Sequence, residues 1–315
     1  MPPPCRKEGG AVASVPYIVT KGVVLRETET KDADKILTVL TAERGKIPVI
    51  AKGVRRKSCK YAACAQILTY SEWTLFQRGE WFYVREASVE EQFMGLRADL
   101  EALALGCYLA ELTETNRHMN LTAITEPAEA WEKHFLDCAI LLQKVQLPLG
   151  ATCIDVGTGA GFPGMVLALL RPDLQVTLLD SLQKRIGFLE QTAAKLGLAN
   201  VRCIHARAED GAKLPELREQ FDMATARAVA AMPVLTEYCL PFVKQGGVFA
   251  AMKGPSETAE QAETAAKLLG GEIVGEESYT LPTAGERKLI RIRKTAPTPQ
   301  KYPRRSDKIK KQPLG

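Results

Sequence analysis

The sequence has little that could hold a metal. Its three histidines, His118, His134 and His205, are dispersed, and its eight cysteines (5, 59, 64, 107, 138, 153, 203 and 239) form no C-x-x-C pair. No metal site is expected from such spacing; Cys59 and Cys64 with a distant histidine come nearest to a ligand set. The cysteines read as small core residues in a reducing cytosol. Long apolar runs are also missing, which argues against a membrane span, and the proline-rich start has no apolar stretch resembling a secretion signal. A cytoplasmic, monomeric protein without membrane contact is the expectation. Acidic residues are almost absent from the last part of the chain. Between Arg287 and Lys311 there are eleven Lys/Arg and one acid, Asp307, in a chain whose net charge is only +5. The rest is therefore net acidic, and the end reads either as a contact for a polyanion or as a solvated tail.

What is present suits two domains. The chain has 315 residues, of which 46% are hydrophobic, enough for two separate cores. Residues 1–16 read as a disordered lead-in. Residues 17–88 carry short β-rich segments (17–26, 35–41, 47–52, 65–70, 73–78 and 81–84) divided by turn or charged residues, as in a small all-β barrel. The loop Lys52–Lys60 places five cations together, Lys52, Arg55, Arg56, Lys57 and Lys60. It suits a phosphate backbone, and equally a solvated loop. Residues 89–148 read as a helical connector, with apolar residues at helical spacing from Phe93 to Leu112 and a second helix near 127–145 that carries His134 and Asp137. Residues 149–296 alternate strand and helix, which predicts a mostly parallel sheet covered on both faces, with the last two strands as an antiparallel edge. Residues 297–315 are the basic tail.

The centre of the α/β part is Ala151–Gly164, where an apolar run breaks into Gly157, Gly159, Gly161 and Gly164. Such a strand–turn–helix can bring backbone close to a ligand, and by itself it fits dinucleotides, S-adenosylmethionine or plain packing. Asp180, ending the next strand, can accept hydrogen bonds from ribose hydroxyls in either cofactor. Two details favour S-adenosylmethionine: Asp155 precedes the glycines, where it could help place a cationic amino-acid moiety, and, counted from Gly157, glycine falls at the first, third and fifth positions rather than in the strict G-x-G-x-x-G spacing. Arg207, Ala208, Glu209 and Asp210 follow the third strand and could bracket an adenine, unless they are simply loop residues.

Two resemblances sharpen this reading. Residues 17 to about 112 resemble the N-terminal portion of the RecO family of recombination mediators, through Gly22–Arg26, Asp34–Leu37, Leu40–Lys46, Ala51–Arg56 and Gly95–Leu100. That likeness implies an OB-fold barrel able to bind single-stranded nucleic acid. The helical C-terminal domain and cysteine cluster of that family are missing, so its complete activity is not implied.

From Tyr108 onward the chain resembles the RsmG (GidB) family, through Met119–Thr125, Lys133–Asp137, Ile154–Gly164, Leu178–Arg185, Arg207–Glu209, Phe221–Asp222, Ala226–Ala228, Met252–Gly254 and Pro299–Arg304. Cys138 departs from the serine usual after the Asp137 position. The resemblance implies a Rossmann-like methyltransferase that uses S-adenosylmethionine to methylate N7 of a guanine in 16S ribosomal RNA of the small subunit. It places Gly157, Phe162, Ala208, Glu209 and Arg227 at cofactor-contact positions, to which Asp155, Gly159, Gly161 and Asp180 are added from the strand and turn. His134, Asp137, Arg207 and Lys253 are the substrate-side candidates. No general base is expected, because guanine N7 has a free lone pair and no proton. The rival expectations are a nucleic-acid-binding DNA repair and recombination module with an incidental methyltransferase domain, and a small-molecule methyltransferase.

Overall fold

The structure is a computed structural model that describes residues 17–30, 33–41, 43–92 and 100–314. The expected lead-in, residues 1–16, lies outside these. The chain divides into two compact units, Met1–Asp99 and Leu100–Gly315.

In the first unit, β1 (Tyr17–Glu29), β2 (Lys35–Thr41), β3 (Gly45–Ala51), β4 (Tyr70–Arg78) and β5 (Trp81–Glu91) close into a barrel in the order β1-β2-β3-β5-β4. Closure comes from a short parallel pairing, Val49 with Phe82 and Ile50 with Tyr83. Alternation decides which side chains point inward: Leu37 and Val39 of β2, Val49 of β3, and Trp73 and Leu75 of β4 are fully buried. β1 must bend to join both neighbours, and its register shifts between Val24 and Arg26. Gly22 is required on that strand, since a Cβ there would meet Leu40 O and Val39 Cγ1 at 2.7 Å. The strand expected at 65–70 is corrected. Residues 52–69 form successive turns, Leu68 has φ 54°, and Val54, Cys64 and Ala65 fill the barrel core from this segment. The barrel also continues past residue 88, because β5 runs to Glu91.

The second unit holds a seven-stranded sheet of β6 (Thr152–Val156), β7 (Gln175–Asp180), β8 (Val201–His205), β9 (Phe221–Arg227), β10 (Val243–Lys253), β11 (Gly271–Leu281) and β12 (Gly285–Lys294), in the order β11-β12-β10-β9-β6-β7-β8. β6 and β7 are buried almost throughout, as strands covered on both faces must be. Only β12 opposes its neighbours. β11 pairs antiparallel with β12 and so regains the direction of β10. The last two strands thus form the expected antiparallel edge.

The helices cover both faces. They are α1 (Leu100–Met119), α2 (Pro127–Ala130), α3 (Asp137–Lys144), α4 (Gly164–Leu170), α5 (Gln183–Lys195), α6 (Ala208–Gly211), α7 (Met232–Cys239), α8 (Glu263–Leu268) and α9 (Ser306–Lys311); a π-helical turn, Trp131–Leu136, joins α2 to α3. The connector expectation is corrected here. Leu105, Tyr108 and Leu112 of α1, with Phe135, Cys138 and Leu141, share one core with Met165, Leu178 and Leu189. These helices are a wall of the α/β domain, and only their sequence position suggested a linker.

The solvated-tail reading is also corrected. Tyr302, Ile309 and Leu314 join the core beneath β9 and β10 with Leu235, Phe242 and Phe249. Arg304 forks onto Glu237 at 2.6–3.1 Å, and Glu237 is 0% exposed. Lys294, 1% exposed, meets Glu219 at 3.1 Å and donates to Leu240 O. Burial and pairing of these charges, with the apolar contacts, fix the segment to the domain.

Removing one partner of a buried pair leaves the other charge without compensation. Arg304→Ala is expected to lower the unfolding free energy by about 3 kcal/mol, measured by urea denaturation. A stability equal to the parent would show that Glu237 does not need this clamp.

Candidate active site

The carboxyl ends of the parallel strands meet at one edge of the sheet, where open α/β sheets bind ligands. Two cavities adjoin there, of about 500 and 320 Å³, and Gly157, Arg185 and Ala228 border both. The smaller is lined by Asp180, Ser181, Arg207, Ala208 and Glu209. The larger is lined by Thr122, His134, Phe162, Arg227, Lys253 and Glu257, among others.

The glycine turn after β6 forms the ridge between them. Gly157 and Gly159 have φ of 73° and 62°, and a Cβ on Gly157 would come within 2.9 Å of Val229 Cγ2. Glycine is needed there both for conformation and for space. The turn is held back on the sheet by the N–H groups of Gly157 and Thr158, which donate to Leu179 O at 2.8 and 3.1 Å.

Two residues expected to face the cofactor instead build this turn. Asp155 is 1% exposed, and its Oδ2 accepts from Thr158 Oγ1 at 2.6 Å and Gly164 N–H at 2.8 Å, while Oδ1 has no partner among the described residues. Burial raises its pKa to about 6, outweighing those two hydrogen bonds. Asp155 therefore braces the loop from beneath and borders neither cavity. Gly161 turns inward too, against the Tyr108 hydroxyl, which donates to Ala160 O.

Asp180 stays at the mouth. Its Oδ1 accepts from Leu182 N–H at 2.9 Å, and its Oδ2 from Gly159 N–H at 3.0 Å and Arg185 at 3.3 Å. A lone pair on Oδ1 remains for a hydroxyl. Ala208 begins α6, so its N–H has no intrahelical acceptor and can meet a ring nitrogen. Glu209 is 6% exposed beside it. Arg207 is corrected: it borders this smaller cavity with a side chain 64% exposed, away from the other substrate-side candidates.

In the larger cavity the chain brings together residues from distant segments. Arg227, ending β9, donates to Lys133 O at 2.6 Å, to Asp137 Oδ2 at 3.3 Å and to His134 Nδ1 at 2.8 Å. His134 accepts there, so its Nε2 carries the proton and donates to Thr122 Oγ1 at 2.8 Å. Burial, helped by the Arg227 charge, lowers the His134 pKa to about 4, which keeps the imidazole neutral. Its ring stacks on Phe162 at 4.6 Å, and the Arg227 guanidinium lies 5.1 Å from the same ring. Asp137 Oδ1 accepts from Tyr279 Oη at 2.7 Å, and burial beside that carboxylate raises the Tyr279 pKa. Opposite, Lys253 donates to Ala230 O at 2.5 Å and pairs with Glu257 at 2.7 Å.

Thr122, Arg185, Glu257 and Tyr279 were not singled out from sequence. Thr122 sits inside a quoted motif, and Glu257 lies four residues beyond Lys253; Tyr279, on an outer strand, has no local signal. The donor set fits S-adenosylmethionine: an acid at the second strand end, a glycine ridge that a Cβ would fill, and a free amide beside Glu209.

Two known families match the chain in sequence. The family described as rRNA small subunit methyltransferase G matches residues 101–290, and the one described as Recombination protein O N terminal matches residues 16–93. "Ribosomal RNA small subunit methyltransferase G" of Clostridium perfringens (strain 13 / Type A) is 48% identical over 206 residues, 64% of this chain and 86% of that protein. The protein of the same name from Lactobacillus delbrueckii subsp. bulgaricus (strain ATCC BAA-365 / Lb-18) is 48% identical over 212 residues, 66% of this chain and 89% of its own length. A SAM dependent methyltransferase from Aquifex aeolicus, at 18% identity, aligns in structure over 52% of this chain and 92% of that one with a TM-score of 0.40.

The buried Asp155 makes stability depend on pH. Its folded pKa, about 6, stands above its ordinary value of 3.8, so the stability it contributes is full below the latter and is lost as pH rises through the former. Relative to Asp155→Asn, the parent should lose about 2 kcal/mol between pH 4 and pH 7, read by urea denaturation of both proteins across that range. A constant difference would show that this carboxyl does not titrate in the window.

Proposed function

The chain belongs to the rRNA small subunit methyltransferase G family through residues 101–290, and from that premise we propose that it transfers a methyl group from S-adenosylmethionine to N7 of a guanine in 16S ribosomal RNA. The observation that carries this reading is the continuous two-lobed cleft across Gly157, with a nucleoside-sized lobe at Asp180 and a second lobe at His134, Arg227 and Lys253. Asp180 accepts a ribose hydroxyl, Ala208 N–H and Glu209 bracket the adenine, and Gly157 and Gly159 let the backbone approach the chain between. When bound, the cofactor supplies an electrophilic methyl on a sulfonium.

The protein's own task is alignment. Guanine N7 needs no deprotonation, so the site gains from fixing the base near the methyl and from tolerating the positive charge that passes to it. A neutral His134 suits this, since an imidazolium would oppose that charge. Arg227 keeps its own charge compensated by Asp137 and positions His134 and Phe162 as one wall. The repair-module alternative is set aside, because the relatives at 48% identity cover the catalytic part and the cleft has its full set of polar groups.

A specific arrangement on the barrel supports binding of single-stranded nucleic acid there. Tyr17, Phe76 and Tyr83 are register partners across β1, β4 and β5. Phe76 and Tyr83 stack at 5.3 Å; Arg78 lies 5.5 Å from the Phe76 ring, Lys52 5.6 Å from Tyr83, and Arg85 4.4 Å from Tyr17. Rings interleaved with cations suit stacked bases and their phosphates.

Three measurements test these readings. Small subunits lacking the modification, incubated with the protein and cofactor, should acquire one N7-methylguanine, detected by reduction and aniline cleavage; no cleavage would overturn the assignment. Arg227→Ala should lower kcat/KM roughly 10- to 100-fold, the scale of lost charged hydrogen bonds. On the barrel, Phe76→Ala or Tyr83→Ala should weaken binding of a single-stranded oligonucleotide about 5- to 100-fold. Unaltered affinity in both would remove that surface.

A further inference from the structure

The Lys253–Glu257 pair does more than hold a loop. Both residues border the larger cavity, and the pair is fixed by backbone at each end: Lys253 Nζ donates to Ala230 O at 2.5 Å, and Glu257 Oε2 accepts from Met232 N–H at 3.0 Å. Their mutual contact is 2.7 Å, with side chains 5% and 24% exposed. The ammonium has three protons, of which two are committed; the third has no partner among the described residues. Each carboxylate oxygen accepts one hydrogen bond and has capacity for another. The cavity therefore offers an immobilised donor and an immobilised acceptor side by side. Both nitrogens of His134 already have partners, and the Asp137 oxygens are engaged by Arg227 and Tyr279.

We infer that this pair selects guanine, Lys253 donating to O6 and Glu257 accepting from N1–H or the 2-amino group. The inference rests on the methyltransferase reading above. O6 stands next to N7 on the purine, so a base with N7 turned to the methyl carries O6 beside it. Guanine presents an acceptor at O6 and a donor at N1. Adenine presents the reverse, an amino group and a bare ring nitrogen, and would set donor against donor and acceptor against acceptor. Glu257 also neutralises Lys253, so a cation near the reacting ring does not oppose the charge arriving at N7.

The test uses the full chain and small subunits assembled on 16S RNA carrying guanine, inosine or 2-aminopurine at the methylated position. Inosine keeps O6 and N1–H; 2-aminopurine lacks both and retains N7. The wild-type chain should methylate inosine within about 10-fold of guanine and 2-aminopurine at least roughly 100-fold more slowly, as when a site's polar groups go unpaired. In Lys253→Met and Glu257→Leu, which remove the donor and the acceptor, the gap between guanine and 2-aminopurine should shrink to less than about 10-fold, with cofactor binding measured by calorimetry as the check on folding. Wild-type methylation of 2-aminopurine at the guanine rate, or a variant that binds cofactor and keeps the full gap, would overturn the inference. The wild-type comparison alone decides it should either variant fail to bind cofactor. Failure of the wild-type chain on guanine itself would instead overturn the methyltransferase reading, and this inference with it.

Discussion

The site depends on how one guanidinium is kept charged in a half-buried position. Arg227 ends β9 at the centre of the sheet, yet its three hydrogen-bond acceptors come from the π-helical turn and the first residue of α3: Lys133 O, His134 Nδ1 and Asp137 Oδ2. Asp137 in turn accepts from Tyr279 of β11, and His134 donates to Thr122. A buried charge without such partners would be costly, so this single requirement fastens the helical wall and the outer strand to the strand ends. The π-helical turn serves the same end. It sets Lys133, His134 and Asp137 so that one arginine can reach all three.

The electrostatics follow from the chemistry of methyl transfer to a neutral nitrogen. Positive charge moves from sulfonium to base, and a site with mobile or titrating cations would work against it at some pH. Here the charges are paired: Arg227 with Asp137, Lys253 with Glu257, Arg185 with Asp180. The one histidine in the cleft is held neutral by burial and by Arg227. Because the pairs are fixed by further hydrogen bonds, little reorganisation is needed when the charge moves.

The legible parts of the sequence were those whose function is local. A strand that breaks into glycines fixes a turn, and Asp180 at the next strand end is positioned by the same short segment. The alternation of strands and helices likewise exposed the α/β order. Asp155 escaped because sequence places it next to the ligand-facing glycines without saying to which side its carboxylate turns; only packing against Thr158 and Gly164 decides that. Arg207 and Lys253 looked alike as cations near strand ends, but they belong to different lobes. Tyr279 and Thr122 were out of reach for a simpler reason: their roles consist of contacts with residues far along the chain.

The basic C-terminal stretch carries the most general lesson. Eleven cations against one acid between Arg287 and Lys311 suggest a polyanion contact, but net charge counts residues without asking what stands beside them. Lys288 faces Glu276, Lys294 faces Glu219 and Arg304 forks onto Glu237, so a substantial share of the apparent excess is cancelled by acids from earlier strands and helices. The sequence segregates the two signs; the fold mixes them again. The cations left at the cleft are a smaller set, such as Arg287 at the larger cavity and Lys310 at the smaller one. These two flank the cleft from opposite lobes, where attraction of phosphate would bring a base toward the strand ends and add to alignment as well as affinity.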